Sequence, residues 1–195
     1  MPKAVEIAKT GGPEVLALVE RDPGAPGPGQ ARIRVAAAGV NFIDVYVRTG
    51  LYPRPLPFVA GLEGAGRVEA VGPGVHEVAP GDRVAWASAP GSYAEALIAP
   101  SAQLVRVPDA VADDVAAAAM LQGMTAHYLV HALREPRAGE WALVHAASGG
   151  TGLLLVQLLK RAGLRVVATC STEQKAALAS EAGADRVVLY TREDF

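Results

Sequence analysis

The stretch Trp141-Ala142-Leu143-Val144-His145-Ala146-Ala147-Ser148-Gly149-Gly150-Thr151-Gly152 decides how the chain folds. Its first six residues are almost wholly apolar and of strand length, which predicts a buried strand over Trp141–Ala146. Three glycines in four positions then make a turn, and the apolar run from Leu153 predicts a helix over Gly150–Ala162, stopped by Gly163. Gly149 and Gly152 occupy the second and third glycine places of G-x-G-x-x-G, with Ala147 in the first. Strand, glycine turn and helix in that order form the setting that a dinucleotide pyrophosphate requires. Missing side chains let the backbone come close, and the helix N-terminus offers free N–H donors and a partial positive charge.

Downstream, Leu164–Thr169 predicts a second strand. A second helix is expected over Thr172–Ala182, with Ser171 and Gln174 in capping-box spacing and Gly183 at its end, and then a third strand over Arg186–Tyr190. Strands alternating with helices define a parallel sheet joined by right-handed crossovers. Upstream, Asp113 and Asp114 suit a helix N-terminus and lead into a long apolar helical region, Val115–Leu133, where Gly123 marks either a break or a close packing contact. The first hundred residues differ in kind: they hold 12 of the 14 prolines and 14 of the 21 glycines. The runs Ala31–Ala36, Gly66–Val71 and Asp82–Ala87 alternate in period two between turn clusters, and Tyr93–Ile98 continues the series, so short antiparallel strands in a barrel or sandwich follow. The expected organisation is a β-rich domain over residues 1–124 and an α/β domain over residues 125–195.

With 51% hydrophobic and 19% charged residues among 195, the chain can fill a sizeable core. A net charge of −2 gives no general attraction to phosphate backbones or anionic lipid, so neither nucleic acid nor membrane is an expected partner. Trp141–Leu159 is uncharged over 19 residues, but its central His145, Ser148 and glycines split it into strand, turn and helix and not a membrane span. The one cysteine, Cys170, excludes an intrachain disulfide framework and a cysteine-built zinc cluster. It fits a cytoplasmic setting and is expected to pack, not react. The N-terminus Met1–Thr10 lacks the apolar core of a secretory signal.

A site for NAD places an Asp or Glu at the end of the second strand, about 20 residues past the glycines, to hold the ribose 2′-hydroxyl. Here the strand ends Ala168-Thr169-Cys170-Ser171-Thr172, without an acid. Lys175, one turn into the next helix, joins the hydroxyls of Ser171 and Thr172 and the ring of Tyr190 in a group suited to a 2′-phosphate. That favours NADPH over NADH. Glu173 stands close by and is assigned to the helix dipole.

Five segments in one order resemble the medium-chain dehydrogenase/reductases, and within them the zinc-independent quinone oxidoreductases of the zeta-crystallin type. They are Gly39–Tyr52, Gly61–Gly66 with Val71-Gly72, Gly81–Val84, Gln122–Ala126 and Ala146–Gly152. The resemblance implies a GroES-like β-barrel substrate domain followed by a Rossmann parallel-sheet domain, α/β plus β in class. It implies Asn41, Tyr46 and Tyr52 around the nicotinamide and the acceptor, with Asp44 and Arg48 orienting their loop. It also implies Thr125 against the cofactor and Gly149, Gly150, Thr151 and Gly152 at its pyrophosphate. Zinc dehydrogenases of the superfamily carry Cys in the place of Asn41 and His in the place of Leu62, so no catalytic metal is expected. Glu63 is read as a hydrogen-bonded structural acid. His127 and His131, an i, i+4 pair, lack a third ligand nearby.

Without a Lewis acid, an electron-poor conjugated acceptor is favoured, because hydride addition to a quinone or activated enone yields a delocalised phenolate or enolate that hydrogen bonds can hold. Tyr52 or Tyr46 is the candidate donor of that bond, with water as the alternative proton source. The expected activity is therefore NADPH-dependent reduction of a small quinone or enone. The alternatives are an enoyl-thioester reductase and a non-catalytic, crystallin-like NADPH-binding protein. The family runs on well beyond the equivalent of Phe195, so the Rossmann domain is expected to be truncated after its third strand. A three-stranded half-sheet exposes an edge and apolar surface, which points to completion by the missing half or by a homodimer.

Overall fold

The computed structural model describes residues 1–194, and the chain divides into two compact units, Met1–Leu121 and Gln122–Phe195. The first is built from β1 (Lys3–Ile7), β2 (Leu16–Glu20), β3 (Gln30–Gly39), α1 (Phe42–Thr49), β4 (Phe58–Val59), β5 (Glu63–Val71), β6 (Arg83–Trp86), β7 (Ala96–Pro100) and β8 (Val105–Arg106). A five-stranded antiparallel sheet runs β7-β3-β5-β6-β8, and a three-stranded one runs β2-β1-β4. The period-two pattern of β3 explains its place: Ala31 and Ile33 are buried beside Val68, Val84, Trp86 and Leu97. Arg32 between them turns outward to Asp22 and Glu69. Trp86 is fully buried, and its indole N–H donates to Ser92 Oγ at 2.8 Å, so no polar atom of the ring is stranded in the core.

The strand expected over Tyr93–Ile98 is shifted to Ala96–Pro100. Residues 93 and 95 pair with the other sheet instead: Val5 N–H donates to Tyr93 O and Glu95 N–H to Lys3 O, so the chain passes from one sheet to the other at this point.

α2 (Asp113–His131) begins in the first unit, where Arg83 grips Asp113 Oδ1 at 2.6 Å and Val111 O at 2.5 Å. Ala116 and Ala117 then pack on Ala65 and Ala85, small side chains that let helix and sheet approach closely. The helix is continuous through Gly123, and a Cβ there would meet nothing within 4 Å. Neither a break nor a close contact explains that glycine.

The second unit holds β9 (Trp141–Val144), α3 (Gly150–Arg161), β10 (Arg165–Cys170), α4 (Glu173–Glu181) and β11 (Arg186–Leu189), with the parallel sheet in the order β11-β10-β9. Val144, Val156, Leu159, Val166, Ala168, Cys170 and Ala179 form its core. β9 stops two residues short of the expected Ala146 because Ala146 sits at φ 49°, in the left-handed region, which ends the extended run. On the opposite sheet face Trp141 and Leu143 are more than half exposed and line an open depression of about 430 Å³ with Val167 and Val188.

Candidate functional site

The glycine turn is shaped by close backbone approach. Gly149 N–H donates to Ala146 O at 2.9 Å, and Leu153 N–H to Gly149 O at 2.8 Å, which starts α3. A Cβ at Gly152 would lie 2.4 Å from Ala146 O and 2.8 Å from Ala147 Cα, so only glycine lets the helix seat against the strand end. At Gly150 a Cβ would fall 1.7 Å from Gln122 Oε1: the Gln122 amide lies on the turn. At Gly149 a Cβ would meet only Ala146 O, at 3.2 Å, so that position opens outward. Gly149 is the N-cap and, having no side chain, supplies no side-chain cap to the start of α3. Thr125 lies one turn after Gln122 on α2 and is half-buried.

The other four residues assigned to the cofactor, Ser171, Thr172, Lys175 and Tyr190, gather where β10 and β11 end. Lys175 Nζ donates to Ser171 Oγ at 3.3 Å, and Tyr190 N–H donates to Cys170 O at 3.2 Å. The cap of α4 differs from expectation by one residue. Thr172, not Ser171, is the N-cap, and its Oγ1 accepts from Lys175 N–H at 3.3 Å. Ser171 Oγ is engaged by the Lys175 ammonium instead, so Gln174 is not the capping-box partner. Tyr190 follows β11 and is not part of it, and its side chain is half exposed. Sequence reasoning missed Thr191 and Arg192 here. Thr191 Oγ1 donates to Ser171 O at 3.2 Å, and Arg192 Nη1 to Glu173 Oε1 at 2.6 Å.

In the first unit Asn41 is the N-cap of α1 and is 6% exposed. Its N–H donates to Asp44 Oδ2 at 2.9 Å, and its Nδ2 donates to Glu63 Oε2 at 2.6 Å. Glu63 is fully buried, and its Oε1 accepts the N–H of Leu121 at 2.5 Å. Asp44 Oδ2 also accepts the hydroxyl of Tyr93 at 2.7 Å. Burial, then the Asp44 hydrogen bond, then the charges of Asp44 and Glu63 push the Tyr93 phenol well above the ordinary tyrosine range. Arg48 ties α1 to the loop at Gly11: its Nε donates to Gly11 O at 3.3 Å, and Gly11 N–H donates to Arg48 O at 3.1 Å. Tyr46 stands edge-on to Tyr52 at 5.4 Å and to Phe42 at 5.3 Å, a surface trio whose Phe42 and Tyr52 are exposed. Phe42, Tyr93 and Glu63 were legible only in part: Phe42 precedes Tyr46 by one helical turn, but nothing local in the sequence joins Tyr93 to Asp44.

These residues do not fit a catalytic zinc. Asn41 spends its amide N–H on Glu63, Leu62 has no donor atom, and among the described residues no three His, Cys, Asp or Glu side chains gather as a ligand set. The exposed rings of His127 and His131 on α2 lie 4.8 Å apart and are tilted by 48° to each other. No helix among the described residues is long and apolar enough to cross a membrane.

The alcohol dehydrogenase GroES-like domain family matches residues 27–109, and the zinc-binding dehydrogenase family matches residues 150–195. The first match lies in the first unit and the second in the second unit. The segment matched by the second contains Cys170 and no histidine. A quinone oxidoreductase of Pseudomonas aeruginosa is 45% identical over 100% of this chain and 60% of its own length. A 2-haloacrylate reductase of a Burkholderia species is 42% identical over 100% of this chain and 61% of its own length. The crystal structure of Escherichia coli quinone oxidoreductase complexed with NADPH superposes with a TM-score of 0.96 at 41% identity, covering 98% of this chain and 60% of that one. The chain thus spans about 60% of the length of the relatives it matches. In sequence and in fold it is similar to the quinone oxidoreductases.

Proposed function

We propose that this chain carries the substrate domain, residues 1–124, and the first half of the NADPH-binding domain, residues 125–195, of a zinc-independent reductase of quinones or activated enones. The observation that carries the reading is the glycine-cleared start of α3 in a chain whose Asn41 amide is held by Glu63. Gly150, Thr151 and Gly152 would hold the pyrophosphate through their N–H groups, with Gly149 clearing its approach and Thr125 beside them, and Ser171, Thr172, Lys175 and Tyr190 the 2′-phosphate. NADPH, when bound, supplies the hydride.

The chain's own residues do the rest. Asn41, fixed by Glu63 and by the N-terminus of α1, orients the acceptor and the nicotinamide, and Asp44 and Arg48 hold α1 in place for it. The Tyr46 and Tyr52 hydroxyls stabilise the developing phenolate or enolate by hydrogen bonding, and one of them or water delivers the proton. The Burkholderia relative, named for a conjugated alkene acid, favours the enone side of the reading. The lone buried Cys170 is consistent with a reducing, cytoplasmic compartment. The open apolar face at Trp141 and Leu143 is consistent with a homodimer.

The test is NADPH consumption by the intact protein with 1,2-naphthoquinone, 2-haloacrylate and a 2-enoyl-CoA in parallel. Turnover of the quinone or the haloacrylate is expected. Turnover of the enoyl-CoA alone selects an enoyl-thioester reductase. NADPH binding with no acceptor turned over selects a crystallin-like role. Lys175→Ala is expected to erode the preference for NADPH over NADH by about tenfold, the scale of one charge-assisted contact to phosphate.

A further inference from the structure

The carboxylate of Glu173 sits at the first position of α4, two residues from Lys175, at the edge proposed above for a 2′-phosphate. A bare carboxylate there repels a dianion and offers an acceptor to a ribose 2′-hydroxyl, the arrangement that suits NADH. The structure disposes of that charge. Arg192 Nη1 reaches Glu173 Oε1 at 2.6 Å, although both side chains are about two-thirds exposed, at 67% and 68%. So exposed a pair adds little to stability.

Its position is nonetheless fixed by the backbone. Tyr190 N–H bonds Cys170 O at 3.2 Å, Thr191 Oγ1 bonds Ser171 O at 3.2 Å, and Arg192 N–H bonds Leu189 O at 2.8 Å. These bonds fold residues 190–192 across the end of β10, so that Ser171 is touched by Thr191 on one side and by Lys175 Nζ, at 3.3 Å, on the other. The neighbouring acid, Glu193, is turned away: its Oε1 accepts Leu189 N–H at 3.1 Å, and its Oε2 lies 4.0 Å from Arg186. The edge therefore carries two cations, Lys175 and Arg192, and one carboxylate already paired.

We infer that Arg192 is a specificity-determining residue of this edge, cancelling the charge of Glu173 and presenting a planar fork of N–H donors to a 2′-phosphate beside Lys175. A guanidinium can keep one N–H on a carboxylate while the others take phosphate oxygens, which an ammonium at the same place does less well. The inference rests on the NADPH reading, and its test separates the two.

Calorimetric titration of the intact protein with 2′,5′-ADP and with 5′-AMP at low ionic strength isolates the 2′-phosphate without any turnover. Wild type is expected to prefer 2′,5′-ADP. Arg192→Ala is expected to weaken 2′,5′-ADP by about tenfold and leave 5′-AMP unchanged, and Glu173→Gln to strengthen 2′,5′-ADP by about threefold. Because the pair is exposed, neither variant is expected to shift the melting temperature. If wild type discriminates and Lys175→Ala removes the preference while Arg192→Ala leaves it within about twofold, the inference falls and the NADPH reading stands. If wild type binds both nucleotides equally, both fall.

Discussion

Asn41 Nδ2 donates to Glu63 Oε2 at 2.6 Å, and the carboxylate that receives it is fully buried, with its second oxygen on the N–H of Leu121 at 2.5 Å. One side chain thereby joins the N-cap of α1 to the middle of α2. Removing it takes the carboxylate acceptor away from the buried Asn41 amide and from the Leu121 N–H. Glu63→Ala is expected to lower unfolding free energy by about 1–3 kcal/mol, the range for removing one partner of a buried hydrogen bond. Urea denaturation measures it, and a loss below about 0.5 kcal/mol, the range of an ordinary surface change, would show that the buried network is not there.

The glycines of the turn separate fold from binding. At Gly149 the backbone is extended, φ −76° and ψ 165°, and a side chain meets little of the protein, so Gly149→Val is expected to leave the melting temperature nearly unchanged while NADPH affinity falls more than about tenfold. Gly152→Ala drives a Cβ against Ala146 O and is expected to destabilise the second unit by about 1–3 kcal/mol before any ligand is added. Thermal melts and fluorescence titration read both. Equal behaviour of the two variants would contradict the geometry.

Tyr93 gives the alkaline limb of stability. Its folded pKa is raised by burial and by Asp44, so at high pH the unfolded chain loses the phenolic proton first. The stabilisation is therefore complete below about pH 10, the ordinary tyrosine value, and is lost as the pH climbs above it. Tyr93→Phe is expected to flatten that decline. The check is denaturant unfolding between neutral pH and pH 11, and an unchanged slope in the variant would rule out the Tyr93–Asp44 bond.

Much of the second unit was legible because hydrophobic runs and glycines are local signals: strand, turn and helix all fell within a few residues of their observed places. The departures are physical and specific. β9 ends early because Ala146 takes a left-handed conformation that alanine rarely adopts, and the cap of α4 is Thr172 because its backbone is extended and its own Oγ1 accepts the Lys175 N–H. The β-rich unit showed its alternation but not its pairing, as in the segment from Tyr93, whose first residues serve one sheet and whose last serve another. Candidate site residues fared likewise. Lys175 was singled out by its type and spacing and Asn41 through the family resemblance, whereas Gln122 on Gly150, Tyr93 on Asp44 and Arg192 on Glu173 are contacts between segments far apart in the chain, for which no sequence pattern stands.

We propose a hydride transfer that needs NADPH and no metal. Its most direct test is the rate of NADPH oxidation by 1,2-naphthoquinone after exhaustive dialysis of the intact protein against a zinc chelator. An undiminished rate that added Zn²⁺ does not raise is expected. A rate abolished by the chelator and restored by Zn²⁺ would contradict it.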